Sequence, residues 1–447
     1  MTAVRPSYPF TVRSRDVLAI ALPACFAFIT EPLVGLVDIT IIGRLGDAGL
    51  LGGLVLGALV FDFLFSMAYF LRIGTAGLTA QAVGARDRDD GLLHAVRAIV
   101  LAVAIGLGMA VLSPLILWIA ELALAPQSGV AEAMAGYFYV RIIGAPLVLL
   151  NYVLLGWFYG RAAATTGMLL QILLHGVDIV LSATFVFAFH MGVVGAALGT
   201  LIGELVAVLA GLALFVRHYG GVRPLLARIA PGALREGAAL RRLVSLNRDL
   251  MIRSIALMSA YGWFAAQGSR MGEVALSANA ILLNLLLIVG FFQDGIAQAA
   301  EQLSGKALGA NWRPAFHAAY RLSFAWGLGI SIVLALVWSI FGDAVIGVMT
   351  TNEEVRRFAN EYLWIAALCA LSFMPAFVFD GMLVGLTQNA MMRNGTLVSL
   401  AVFLVAALAL QPPFGNLGLW AAMHVWFIAR GLYFWVALSR KQALLFA

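Results

Sequence analysis

The chain has 447 residues, of which 63% are apolar and 11% charged, with a formal charge of +6. Soluble domains average about 45–50% apolar and about 25% charged, so the composition weighs against a soluble globular enzyme: this much apolar side chain cannot be hidden from water. The basic residues sit between apolar runs, where they read as topology signals rather than a nucleic-acid footprint, and Cys25 and Cys369 each lie inside an apolar run, which argues against a disulfide framework.

Twelve apolar segments follow in chain order: roughly 16–43, 51–84, 92–124, 131–159, 163–189, 191–217, 247–269, 273–309, 314–341, 355–386, 391–411 and 416–439. Each is long enough to supply the roughly 20 residues a membrane helix needs. The long unbroken runs exclude a transmembrane β-barrel, whose strands alternate over about 10 residues. Arg5, Arg13 and Arg15 precede the first segment. That segment continues from Val17 to Ile42, too far for a cleaved signal core, and predicts a retained first span.

Loops on one side carry nineteen basic residues, against Arg44, Arg270, Arg356 and Arg357 on the other. Basic loops stay cytoplasmic, so both termini are expected there. The longest polar stretch, 218–246, contains Pro224, Pro231, Gly232, Arg235 and other basic residues. It suggests an N-lobe over 1–217, a cytoplasmic basic linker over 218–246 and a C-lobe over 247–447. The two halves also resemble each other. Arg44-Leu45-Gly46-Asp47 recurs as Arg270-Met271-Gly272-Glu273, and Ala82-Val83-Gly84-Ala85 as Ala307-Leu308-Gly309-Ala310. Gly156 and Gly160 match Gly381 and Gly385, and Gly192 and Gly195 match Gly415 and Gly418. The offsets (270 − 44 = 226, 307 − 82 = 225, 381 − 156 = 225, 415 − 192 = 223) are nearly constant. Six helices per half make the repeats parallel, a symmetry common in transporters that bind substrate between halves.

A charge at a membrane helix centre costs roughly 2.5–3.5 kcal/mol on insertion scales, so ionisable residues in these runs are functional candidates. They are Glu31, Asp38, Asp62, Arg72, Arg141, His175, Asp178 and Glu204 in the first half. The second half offers Arg253, Asp294, Glu301, Glu361 and Asp380. Glu31 and Asp38, seven apart, share a helix face, and Pro23 and Pro32 each weaken helix hydrogen bonding and allow a hinge. A carboxylate beside a bendable helix suits a proton or cation switch. His175, Asp178 and Ser182 also share one face, with His175 more simply read as a packing residue. Asp249 and Arg253 suggest an interfacial ion pair. No Walker loop appears, which sets ATP aside as the energy source through this chain. No His-Glu-x-x-His, Cys/His cluster or Gly-x-Ser-x-Gly elbow appears either, so no cofactor, structural zinc or enzyme is expected.

Pro32-Leu-Val-Gly35-Leu-Val-Asp38, followed by Gly43-Arg44-Leu45-Gly46, resembles helix 1 of the multidrug and toxic compound extrusion (MATE) transporters. Phe70-Leu-Arg72-Ile-Gly74-Thr75-Ala-Gly77-Leu-Thr79-Ala-Gln81-Ala82 resembles helix 2 of their DinF-like branch. Asn247-Arg248-Asp249 with Ile252-Arg253, Asp380-Gly381 with Gly385-Leu-Thr387, and Met392-Arg393-Asn394 extend the likeness along nearly the whole chain. The resemblance implies an all-α polytopic membrane protein of twelve helices in two pseudo-symmetric six-helix lobes. It implies a monomeric antiporter of a bacterial inner membrane, exporting amphipathic, often cationic compounds in exchange for H⁺ or Na⁺. It places the coupling acid at Asp38, and a Na⁺, if used, at Asp38 and Asp178. Where helix 5 of the branch reads Asn-x-x-x-Asp, this chain reads Asp178-x-x-x-Ser182, so the acid has moved one turn along the same face. Tyr137, Tyr139, Asn151, His175, Ser182 and Thr200 become the expected polar neighbours. A lipid-linked precursor flippase of the same superfamily is the alternative, disfavoured by few mid-span basic residues beyond Arg72 and Arg141. A polytopic enzyme or receptor without transport is the third.

Overall fold

The computed structural model describes residues 6–229 and 237–446. Arg5, and Pro231, Gly232 and Arg235 of the expected linker, lie outside the described residues.

Every described element is helical. In chain order they are α1 (Ser14–Gly43), α2 (Ala48–Ala68), α3 (Phe70–Ala85), α4 (Arg88–Val111), α5 (Ser113–Leu124), α6 (Ser128–Ile143), α7 (Ala145–Gly160) and α8 (Ala164–Ala183). A π-helical turn (Thr184–Ala188) leads to α9 (Gly192–His218) and the short α10 (Val222–Ala227). Then come α11 (Gly237–Arg270), α12 (Glu273–Gly309), α13 (Arg313–Met349), α14 (Glu353–Gly385) and α15 (Asn389–Leu445).

Their boundaries follow local chemistry. The Asp47 carboxylate accepts from Gly49 N at 2.8 Å and Leu50 N at 3.1 Å to cap α2. Asp87 caps α4 and Asn352 caps α14 in the same way. Proline in the first turn starts α5 and α7. These starts divide the expected segments 92–124 and 131–159 into pairs, and α6 and α7 meet at a 51° bend.

Nine helical stretches among the described residues are long and apolar enough to cross a membrane, with α2 and α3 counted as one, and the α6–α7 pair makes ten. α15 is two helices in continuity: Pro412 and Pro413 remove two donors, and Gly415 takes φ 57°, ψ −130°. α11 completes the twelve that the sequence predicts. Large apolar side chains stand exposed along these helices, among them Val111 at 78%, Ile340 at 68% and Val348 at 88%. In water such surface would be a liability; in hydrocarbon it is the solvent-facing side.

The chain divides into two compact units. The N-unit comprises Phe26–Val83 and Asp87–Leu240; the C-unit comprises Met1–Cys25, Gly84–Arg86 and Arg241–Ala447. The division falls inside α1, between Cys25 and Phe26. The early part of α1 packs in the C-unit, where Cys25 Sγ donates to Phe292 O at 3.4 Å.

The internal repeat is visible in the backbone. In the N-unit, a Cβ added at Gly156 or Gly160 would meet the carbonyl oxygen of Arg72 or Ala76. In the C-unit, one added at Gly381 or Gly385 would meet that of Ala297 or Glu301. The partners repeat with the glycines, since 297 − 72 = 225 and 301 − 76 = 225. Glycine is needed at both places because two helices touch through their backbones. Left-handed residues pair likewise: Gly46 with Gly272, Arg86 with Asn311, Ala162 with Thr387 and Gly192 with Gly415 all have positive φ.

Candidate functional site

The polar residues expected in the first half converge inside the N-unit. Asp178 on α8 is fully buried. Its Oδ1 accepts from Ser182 Oγ at 2.9 Å. The same hydroxyl lies 3.1 Å from the Ala196 carbonyl, to which Thr200 Oγ1 donates at 3.2 Å. Two glycines of α9 make this possible. A Cβ at Gly199 would lie 2.6 Å from Ser182 N, and one at Gly203 would lie 2.8 Å from Leu174 O. α8 and α9 therefore approach closely at the acid, and the π-helical turn begins two residues after Ser182. Such turns recur at functional positions.

Asp38, on α1, is half-buried and interacts electrostatically with Asp178 and Arg141. Arg141 on α6 has Tyr137, Glu204 and Asp178 as its ionisable neighbours. Glu204 and Asn151, both buried, are joined by a hydrogen bond from Asn151 Nδ2 to Glu204 Oε2. One oxygen of each predicted acid, Asp38 Oδ1 and Asp178 Oδ2, is buried with no hydrogen-bond partner among the described residues. Buried carboxylate oxygens are normally satisfied, so each is a position where a proton or a cation would be bound favourably.

A second group lies beside the first in the N-unit. The Arg72 guanidinium rests 4.6 Å from the Phe28 and Tyr69 ring centroids and 5.4 Å from that of Tyr159. Glu31 interacts with Arg72 and Asp62. Tyr152 packs edge-on to Tyr69 at 5.4 Å and interacts with both Glu31 and Glu204. Arg72 already fills the faces of Phe28, Tyr69 and Tyr159; the Tyr152 ring beside the Glu31 carboxylate is what suits an organic cation, through ring quadrupole and charge together.

The structure thus brings Asp38, Tyr137, Asn151, Asp178, Ser182 and Thr200 into one neighbourhood. His175, three residues before Asp178, keeps a buried Nδ1 without a hydrogen-bond partner. Tyr139 stands apart: it is 47% exposed and its ring packs on Phe138 at 5.9 Å. Tyr137 and Arg141, four apart, share a helical face, and Tyr139, two from each, points away from it. Pro23 and Pro32 lie within α1, which stays helical from Ser14 to Gly43. Neither has an N–H to give the carbonyl four residues before it, at Ala19 or Phe28.

Two features were missed in the sequence. One is the pairing of Glu204 with Asn151, 53 residues apart. The other is Arg430. In the C-unit Asp380 Oδ2 accepts from Arg253 at 2.8 Å and from Arg430 at 2.8 Å. Arg430 is 2% exposed. It sits in the apolar run 416–439, so the cost of a buried charge was the signal that pointed to it. Asp249 accepts from Arg393 at 2.6 Å rather than pairing with Arg253. The expected Asp249–Arg253 ion pair is thereby corrected: Arg253 reaches Asp380 instead.

Comparison with known proteins gives consistent findings. The MatE family model matches residues 23–184 and 252–410. The DNA damage-inducible protein F of Escherichia coli (strain K12) is 34% identical over 413 residues, covering 92% of this chain and 89% of that protein. The multidrug export protein MepA of Staphylococcus aureus (strain MSSA476) is 22% identical, covering 90% and 88%. A MATE crystal structure in the straight conformation superposes with a TM-score of 0.87 at 19% identity, covering 97% of this chain and 96% of that one.

Proposed function

The chain belongs to the MatE family of multi-pass membrane transporters, and we propose that it exports amphipathic, cationic organic compounds in exchange for protons. A family of transporters handling small molecules accounts for the absence of enzyme motifs.

The observation that carries it is the pair Asp38 and Asp178, which interact electrostatically and each keep one buried oxygen without a partner among the described residues. Ionised together, two carboxylates so close in an apolar setting repel each other and favour a bound positive charge. A proton on either relieves the repulsion and removes a buried charge. An organic cation seated near Glu31 and Tyr152 does the same, so proton and substrate compete. Alternating occupancy then drives export. Pro23 and Pro32 are the places where α1 bends as Asp38 changes charge. A proton moving inward gains about 2.3 kcal/mol per 100 mV of membrane potential, before any pH gradient.

The basic-loop count supports both termini in the cytoplasm of a bacterial inner membrane, and the chain works as a monomer. Na⁺ at Asp38 and Asp178 is the competing ion. The flippase reading gains one observation, the half-buried Arg253 and buried Arg430; both donate to Asp380, however, so they do not form a free basic cavity.

The test is dye efflux from proteoliposomes under imposed H⁺ or Na⁺ gradients, with Asp38→Asn and Asp178→Asn. Proton-driven efflux in wild type, lost in both variants, is expected. Full proton-driven efflux in Asp38→Asn would remove the role assigned to that residue.

A further inference from the structure

A guanidinium in apolar surroundings costs several kcal/mol unless it is paired. Arg141 is such a group, and the exchange of proton for substrate gives it no task. Its Cζ lies 5.7 Å from the Phe61 ring centroid and 5.6 Å from that of Phe65. Its Nε and Nη1 are buried and have no hydrogen-bond partner among the described residues. The titratable groups that face it are Asp38 of α1, Asp62 of α2, Tyr137 of its own helix, Asp178 of α8 and Glu204 of α9. Oε2 of Glu204 accepts from Asn151 and Oδ1 of Asp178 from Ser182, and Asp62 is exposed. The buried carboxylate oxygens here without a hydrogen-bond partner among the described residues are one each on Asp38 and Asp178. This neighbourhood therefore holds two buried donors without acceptors, on a guanidinium that also hydrogen-bonds Tyr137, and two buried acceptors without donors.

The geometry points to Arg141 as the resident cation of this pocket: it pairs with Asp38 or Asp178 when that carboxylate is ionised, and so fills the place a sodium ion would need. This rests on the reading of those two acids as the coupling pair. Charge alone does not select the ion, because H⁺ and Na⁺ each add one positive charge. Geometry does. A proton joins one oxygen and needs no shell of ligands. A sodium ion needs several oxygens at once. The planar guanidinium fork engages carboxylate lone pairs two at a time, leaving too few for a metal ion. Its long stem lets the fork move between two acids on different helices, so one arginine serves both in turn.

The test is a carboxyl titration of the purified protein in lipid nanodiscs. The carbonyl band of the protonated acids is followed by infrared difference spectroscopy, in sodium chloride and in choline chloride at equal ionic strength. Asp38→Asn and Asp178→Asn identify the bands. For wild type the midpoint is expected to be the same in both salts. For Arg141→Met, proton affinity should rise roughly 10- to 1,000-fold, the usual effect of losing an opposite charge beside a carboxylate, and sodium should now compete with the proton. Arg141→Lys keeps the charge and the folding balance but not the fork, so its midpoint stays near that of wild type in choline and moves with sodium.

A wild-type midpoint that shifts with sodium would overturn the proposal. So would an Arg141→Lys titration indifferent to sodium, even where Arg141→Met fails to fold. The titration needs no transport. If wild type moves no dye under any gradient while these shifts occur, the antiport reading fails and the role of Arg141 stands.

Discussion

The two units share a skeleton and differ in what they bury on it. Gly156 and Gly381 do the same work, each letting one helix lie backbone-to-backbone on another. The buried charged residues do not repeat, nor does Asn151. Adding 225 to Arg141 and Asn151 gives Ala366 and Ala376, and adding 223 to Glu204 gives Phe427, all buried apolar residues. In reverse, 380 − 225 and 430 − 223 give Leu155 and Ala207, also buried and apolar. The N-unit gathers Glu31, Asp38, Asp62, Asp178 and Glu204 around Arg72 and Arg141. The C-unit holds Asp380 between two arginines, buries Asp249 and Glu301 as well, and packs Phe264, Phe403, Trp420, Trp426 and Phe427, all fully buried, elsewhere. The repeated glycines set distances between backbones, which both units require. The buried charges set local chemistry, which differs between the units. Asp380 also keeps a buried oxygen, Oδ1, without a hydrogen-bond partner among the described residues; what sets it apart is that two guanidinium groups balance its charge through Oδ2, the arrangement of a strut, whereas we read the N-unit acids as the switch.

This contrast breaks first at Asp380. Asp380→Ala strands Arg253 and Arg430 without their shared acceptor, and uncompensated buried charge typically costs about 3–5 kcal/mol. Equilibrium unfolding in detergent should show a loss of that size. If stability holds and the pH profile of efflux moves instead, the C-unit also carries a proton site and the division of labour is wrong.

The shared skeleton is tested by Gly156→Ala and Gly381→Ala. Each forces a methyl group against a carbonyl oxygen, and overpacking of this kind costs about 1–3 kcal/mol. The two losses should match. A large loss in one unit and none in the other would mean that the repeat in sequence does not reflect a repeat in load.

Asp178→Asn sharpens the comparison by reversing the pattern at Asp380. The amide oxygen still accepts from Ser182 while the buried charge disappears. Stability should therefore stay within about 1 kcal/mol, and proton-driven efflux should vanish. Loss of stability like that of Asp380→Ala would make Asp178 a strut as well.

How much of this was legible beforehand depends on whether a feature is local. Twelve helices could be counted because hydrocarbon leaves its mark on every span. The repeat could be read because a backbone contact excludes any side chain, whatever surrounds it. Asp38 and Asp178 stood out because a charge in an apolar run is costly at any position. Pairings were hidden, since Asp380 joins residues of α11, α14 and α15 that nothing in the sequence links. The breaks within segments 92–124 and 131–159 coincide with Pro114 and Pro146, a signal present in the sequence. The break at Tyr69 between α2 and α3 has no proline and left no such mark.

The smallest expected effect is at Tyr139, where resemblance and geometry disagree. Resemblance makes it a neighbour of the coupling acids. At about 100° per residue, it lies roughly 200° around α6 from Tyr137 and Arg141, and it is 47% exposed. Removing an exposed hydroxyl should change stability by less than about 0.5 kcal/mol, and Tyr139→Phe should transport as wild type does. Tyr137→Phe, which changes the buried neighbour of Arg141, should alter the pH dependence of efflux. If the two variants behave the other way round, α6 presents its opposite face to the substrate during transport, and the pocket around Arg141 is only one of the arrangements in which these acids work.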